Sequence, residues 1–137
     1  MVKTLKDIDI DNKKVIIRCD FNVPINNGKI LDDTRIVESL ETINYCLEHN
    51  CKIILMSHMG RVKKKEDLKN NSLYPVSVRL KKLLHKKVIF LDKNKAPIVT
   101  KTIKNMKNKD IVLLENTRYQ DLRGNKESSN NISLVKY

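Results

Sequence analysis

The sequence predicts an open parallel sheet with helices on both faces, a three-layer α/β/α fold of the Rossmann-like kind. Short β-branched apolar runs alternate along the chain with stretches of helical periodicity, the signature of strand, crossover helix and parallel strand. Three of those runs also end in polar clusters: Arg18-Cys19-Asp20-Phe21-Asn22, Ser57-His58-Met59-Gly60-Arg61 and Glu115-Asn116-Thr117-Arg118. Side chains at the same end of neighbouring parallel strands converge on one crevice, where open α/β sheets bind ligands. These groups are cationic and hydrogen-bonding, so a small phosphorylated anion is the expected ligand.

Strands are expected at 15 to 19, 52 to 57, 88 to 91 and 110 to 114, compact and apolar on both faces, as strands covered on two sides should be. Asn26-Asn27-Gly28-Lys29 reads as the turn of a short hairpin leading into the first helix. Ile36, Leu40, Ile43 and Leu47 form that helix's apolar stripe, with Asp32 and Asp33 near its start, where carboxylates suit the cap and the positive dipole end. Val76, Leu80, Leu83 and Leu84 repeat the stripe after Pro75, and Ile98, Val99, Ile103 and Met106 repeat it after Pro97; proline is tolerated in a first helical turn. Lys63-Lys64-Lys65 reads as a flexible loop. Arg123 to Asn131 is polar, and Ile132, Leu134, Val135 and Tyr137 open another amphipathic segment. An element cut within a turn or two leaves apolar surface unpartnered, so truncation is expected.

A length of 137 residues, 40% of them hydrophobic and 32% charged, fits one soluble domain with a real core. The N-terminus has no secretory apolar region, and no run approaches the ~18 apolar residues of a membrane span. A cytoplasmic protein with no membrane partner is expected. Cys19, Cys46 and Cys51 contain no Cys-x-x-Cys pair and read as reduced thiols; Cys46, His49 and Cys51 lack the fourth ligand of a closed zinc site, so no metal site is assigned. The net charge of +12 raises a nucleic-acid reading. Against it stand an aromatic content of 4%, the absence of any zinc-finger, RNP or basic-zipper pattern, and lysines scattered over helices and turns as solvated charge.

The six arginines are scarcer and more telling. Arg35, Arg61, Arg118 and Arg123 fall just after strands or at a helix start, and a guanidinium fork matches phosphate bidentately where a lysine cannot. The only glycines, Gly28, Gly60 and Gly124, cannot assemble a dinucleotide turn or a Gly-rich nucleotide loop. Ser57 and His58 are adjacent at a strand end, point in opposite directions and cannot form a nucleophile-base relay. His58 reads either as part of an anion grip with Arg61 or as a half-buried loop histidine. Asp20 and Asn22 are turn formers ahead of Pro24 or hydrogen-bonding partners of a hydroxylated acid. Arg35 either pairs with Asp32 and Asp33 on the surface or faces the crevice.

Four segments in one register, Arg18 to Pro24, Asp32 to Ile36, Leu55 to Arg61 and Leu113 to Tyr119, closely resemble the N-terminal domain of the phosphoglycerate kinase family, from about Leu5 to Gly124. The resemblance implies reversible phosphoryl transfer between 1,3-bisphosphoglycerate and magnesium ADP, giving 3-phosphoglycerate and ATP in glycolysis. It implies that Asp20 and Asn22 hold the glycerate, that His58, Arg61 and Arg118 grip its non-reacting 3-phosphate, and that Arg35 contacts the transferring phosphoryl group as the catalytic residue. Mg2+ with ATP or ADP belongs to the complete enzyme, and no cofactor or metal is expected on this chain. Residues 1–137 would be a partial N-terminal, 3-phosphoglycerate-binding domain of an enzyme expected to be monomeric, with the hinge and C-terminal nucleotide domain absent. Val62 stands where the family usually has proline, and Thr117 and Tyr119 replace the commoner leucine and phenylalanine around Arg118. The competing readings are a non-enzymatic basic module that binds nucleic acid or another polyanion, and a stand-alone phosphometabolite sensor.

Overall fold

A computed structural model describes residues 4–93 and 97–119. After a single 3-10 turn, Leu5–Asp7, the order is β1 (Lys14–Arg18), β2 (Ile25–Asn26), β3 (Lys29–Ile30), α1 (Thr34–Glu48), β4 (Lys52–Met56), α2 (Lys65–Asn70), α3 (Tyr74–Leu84), β5 (Ile89–Leu91), α4 (Pro97–Lys104) and β6 (Ile111–Leu114). Strands β1, β4, β6 and β5 lie side by side in that order, all parallel, while β2 and β3 form a separate antiparallel hairpin. Its turn is the expected one: Asn27 and Gly28 both have positive φ, 49° and 77°, as a two-residue primed turn requires.

The strand order dictates the layers. From β1 to β4 and on to β5 the chain advances across the sheet, so right-handed crossovers put the intervening helices on one face; the step back from β5 to β6 puts the next helix on the other. The core divides accordingly. Ile53, Leu55, Ile111 and Leu113 pack with Ile36 and Ile43 of α1 and Val76 and Leu80 of α3. Their alternates Ile54, Val112 and Leu114 pack with Val99 and Met106 from α4 and the turn that follows it. Successive strand residues therefore feed opposite layers, and β6 is buried at every position.

Three expectations need correction. Burial on both faces holds for β4 and β6 but not for the edge strand β1, whose alternate residues are exposed and whose Ile16 keeps 65% of its surface, because the cluster built with α4 includes side chains of β4, β6 and β5 and none from β1. Ile98 drops out of the α4 stripe and is exposed, Val99 taking the inward position. The lysine run is not wholly loop, since Lys65 begins α2, whose first turn is closed by Asp67 Oδ2 accepting from the backbone N–H of Lys63 and Lys64, each at 2.9 Å. The polar stretch after Tyr119 and the amphipathic segment from Ile132 lie outside the described residues.

Candidate functional site

Parallel register brings the three polar clusters together. Arg18 stands opposite Met56 and Leu55 opposite Leu113, so the segments leaving β1, β4 and β6 start side by side. Backbone bonds continue past the strands, from Cys19 N–H to the Met56 carbonyl at 2.8 Å and from Thr117 N–H to the Ser57 carbonyl at 3.0 Å.

Gly60 joins the three segments. Its N–H donates to Asn22 Oδ1 at 3.0 Å and its carbonyl accepts from Arg118 Nη1 at 3.1 Å, so one residue ties the β1 end to the β6 end. Gly60 has φ +58°, and a Cβ added there would meet Asn71 Oδ1 at 2.5 Å, so both conformation and space call for glycine. Arg35 Nη1, from the first turn of α1, donates to the Asn22 carbonyl at 2.7 Å and to Asp20 Oδ1 at 3.4 Å. Among the described hydrogen bonds Arg35 pairs with the β1 end rather than with Asp32 or Asp33. Asp33 instead accepts from Arg79 Nη1 at 2.6 Å, and Asp32 caps the helix by accepting from the Thr34 hydroxyl at 2.6 Å and its N–H at 2.8 Å. The Thr34 bonds hold the Asp32 carboxyl below its ordinary range.

Asp20, Asn22, Arg35, His58, Arg61 and Arg118 thus sit on four neighbouring segments, with Asn22 and Arg118 linked through Gly60 and with His58 and Arg61 on the loop that carries it. His58 is half-buried and Arg61 exposed; both guanidinium-bearing Arg35 and its partner Asp20 keep more than half of their side-chain surface, 52% and 62%. Cationic and hydrogen-bonding side chains are thus carried at the carboxyl ends of the strands, the chemistry an anion site would need. Arg123 lies outside the described residues.

The clusters are less phosphate-facing than their composition implies. Ser57, Glu115, Asn116 and Thr117 are all buried. Ser57 Oγ accepts from the Phe21 N–H at 3.0 Å and donates to the His58 carbonyl, binding the β1 and β4 ends from inside. Glu115 holds the start of α3, its carboxylate accepting from the Ser72 hydroxyl at 2.7 Å and from the backbone N–H of Leu73 and Asn116, each at 2.8 Å. The signal for this support was present in the sequence: a carboxylate and an amide directly continue a fully apolar strand, so they inherit its burial and must find partners inside.

The cysteine-histidine cluster serves the opposite end of the sheet. Cys51 Sγ donates to the Ile10 carbonyl at 3.1 Å and His49 Nδ1 lies 2.5 Å from Asp11 Oδ1. Burial pushes the Cys46 thiol up to about 11 and the Cys19 thiol up to about 12, away from the thiolate a metal needs. Among the described residues no group of three or more His, Cys, Asp or Glu could hold a metal ion. No described helix is long and apolar enough to cross a membrane.

Comparison with known proteins decides the lineage: the family model for phosphoglycerate kinase matches residues 5–137. The chain belongs to the phosphoglycerate kinase family. It is 47% identical over 137 residues to the phosphoglycerate kinase of Fusobacterium nucleatum and 49% identical over 135 residues to that of Listeria monocytogenes, covering 100% and 98% of this chain and 34% of each relative. It spans about a third of the length of the curated relatives it matches. Among solved structures, the phosphoglycerate kinase of Coxiella burnetii superposes with a TM-score of 0.76 at 33% identity, over 96% of this chain and 31% of that one. The Pyrococcus horikoshii phosphoglycerate kinase gives 0.75 at 28% identity, over 84% and 28%. Where this chain departs from the phosphoglycerate kinase pattern, Val62 and Tyr119 find places in the fold, whereas the Thr117 hydroxyl is buried without a hydrogen bond among the described residues. Val62 is buried, Thr117 is buried, and the Tyr119 hydroxyl donates to the Leu68 carbonyl, tying the β6 end to α2.

Proposed function

We propose that this chain supplies the glycerate-binding half of a phosphoglycerate kinase, a cytoplasmic, monomeric enzyme of glycolysis that moves a phosphoryl group reversibly between 1,3-bisphosphoglycerate and ADP. The observation that supports the reading is the Gly60 junction, which bonds Asn22 and Arg118 to the loop that carries His58 and Arg61. Asp20 and Asn22 hydrogen-bond the glycerate, His58, Arg61 and Arg118 take its 3-phosphate, and Arg35 meets the phosphoryl group in transit. Arg35 is suited to that task because the Asn22 carbonyl and Asp20 carboxylate fix one of its nitrogens while half of the side chain stays open. Phosphoryl transfer depends on positioning and on stabilising charge spread over the equatorial oxygens, which a pre-aimed guanidinium does without reorganising. No general base is required, since the attacking carboxylate is ionised near neutrality.

The three glycines do not assemble a phosphate-cradling loop for a nucleotide. In this reading the nucleotide binds on the part of a full-length phosphoglycerate kinase that these residues do not span, and residues 1–137 alone are expected to show no turnover.

Calorimetric titration of the chain with 3-phosphoglycerate and with duplex DNA, at low and high salt, tests the reading. It expects saturable one-to-one binding of the small acid and only weak, salt-labile binding of DNA. Tight DNA binding with a steep salt slope and no uptake of 3-phosphoglycerate would establish the polyanion module instead. ATP formation from 1,3-bisphosphoglycerate and ADP by the purified chain would overturn the half-site assignment.

A further inference from the structure

We infer that Asn116 is a positioning residue for the anion site: this one buried amide sets the spacing between the segments that carry Arg61 and Arg118. The inference rests on the glycerate-site reading above and names a residue that does not itself touch the ligand.

Asn116 is fully buried. Its Oδ1 accepts from the Met59 N–H at 3.1 Å and from the Arg118 N–H at 2.9 Å. Its Nδ2 donates to the Met59 carbonyl at 2.8 Å and to the Asn71 carbonyl at 2.9 Å. An amide has two acceptor sites and two donor hydrogens, and these four bonds use them all. Met59 is therefore gripped at both its N–H and its C=O, immediately before Gly60. On the other side of Gly60, the Arg61 carbonyl accepts from Asn71 Nδ2 at 3.2 Å, and Asn71 is itself held by Asn116 through its backbone. The same side chain thus fixes the loop on both flanks of Gly60 and the main chain of Arg118, whose guanidinium returns to the Gly60 carbonyl.

The consequence is geometric. A 3-phosphate is recognised bidentately only where guanidinium groups are held at a fixed separation. Strand register alone stops at Leu113, before either arginine. Beyond it one backbone bond, from the Thr117 N–H to the Ser57 carbonyl at 3.0 Å, still joins the two ends, and nearer the arginines the spacing depends on side-chain bonds, among them the four made by Asn116. No isosteric apolar residue replaces it, because Met59 would lose partners for both backbone groups and Arg118 for its N–H, in a buried layer.

The test is a double-mutant cycle on 3-phosphoglycerate affinity, using the full chain as parent, Asn116→Ala, Arg118→Ala and both together, with thermal unfolding run on each. Asn116→Ala is expected to weaken binding at least about tenfold, or 1.4 kcal/mol. In the Arg118→Ala background the same change is expected to cost less than about threefold, because the amide acts through the arginine. A merely structural role would give equal losses in both backgrounds and would overturn the inference, as would parental affinity in a folded Asn116→Ala chain. Gly60→Ala provides a second perturbation outside the core, displacing the same peptide against Asn71; it is expected to show the same coupling to Arg118, and unchanged affinity there would also overturn the inference. If the parent itself fails to bind 3-phosphoglycerate, the inference falls together with the glycerate-site reading, whereas binding by the parent and insensitivity to Asn116 removes the inference alone.

Discussion

At the scale of single residues, two arginines with similar chemistry occupy different settings. Arg35 is anchored to the Asn22 carbonyl and Asp20, and in the proposed reading it is the fixed charge that meets one developing during reaction. Arg61 is exposed on the loop beside Gly60, where it can contribute to ground-state grip. In the intact enzyme, Arg35→Ala is expected to lower kcat by roughly 100-fold or more, in the range of other lost transition-state donors, with a smaller effect on the KM for 3-phosphoglycerate. Arg61→Ala is expected to raise that KM by about tenfold or more, the worth of a charge-assisted hydrogen bond, with kcat changed much less. Steady-state kinetics separates the two; equal effects on both parameters in both variants would contradict the division of roles. The sequence made these arginines visible through their scarcity and their positions after strands. It left Arg35 ambiguous, because Asp32, Asp33 and Asp20 are all within reach of a helix start and only the folded path of the β1 end selects among them.

At the scale of elements, the start of α3 is held by a buried carboxylate from another segment as well as by Ser72 Oγ, which accepts from the Tyr74 N–H at 3.2 Å. Glu115 reaches across from β6 to accept from Ser72 and Leu73, so the helix is registered to the sheet at the end where the site lies. Glu115→Ala leaves buried N–H groups without acceptors and is expected to cost about 3 kcal/mol, read as a shift in the urea midpoint; a loss below about 1 kcal/mol would show that α3 is anchored otherwise. Helix starts of α1 and α2 depend on exposed aspartates. The Thr34 hydroxyl and N–H lower the Asp32 carboxyl, and the Lys63 and Lys64 N–H groups lower that of Asp67. Because the folded values lie below the unfolded value of 3.8, both contributions are complete above that pH and fade as pH falls through the lowered values. Urea unfolding between pH 6 and pH 2 is expected to show a shallower acid loss in the Asp32→Asn/Asp67→Asn double variant than in the parent. An identical acid limb in both would contradict it. Periodicity had located α1, α3 and α4 and all four strands of the sheet to within a residue or two, since burial of one face leaves a regular trace. It passed over α2, which has no apolar stripe: its start is a side-chain bond from Asp67, a local event inside a lysine-rich run.

At the scale of the whole molecule, topology decides where chemistry can collect. Parallel strands β1, β4 and β6 deliver their carboxyl ends to one edge, and the net charge of +12, spread over the whole chain, favours the approach of small anions to the molecule. The polar clusters were legible as a group because their recurrence after each strand is a pattern, and their family resemblance added the reaction. What the letters could not show was the split within each cluster. Ser57, Glu115 and Asn116 are buried as the frame while Asp20, Arg35 and Arg61 are exposed, a division that follows the bonds each buried group must find. The most direct test of the central claim is a crystal structure of the protein with 3-phosphoglycerate bound. The account predicts one ligand at the Gly60 junction, its phosphate among His58, Arg61 and Arg118 and its glycerate end at Asp20 and Asn22; a ligand seated elsewhere, with those side chains turned away from it, would contradict the account.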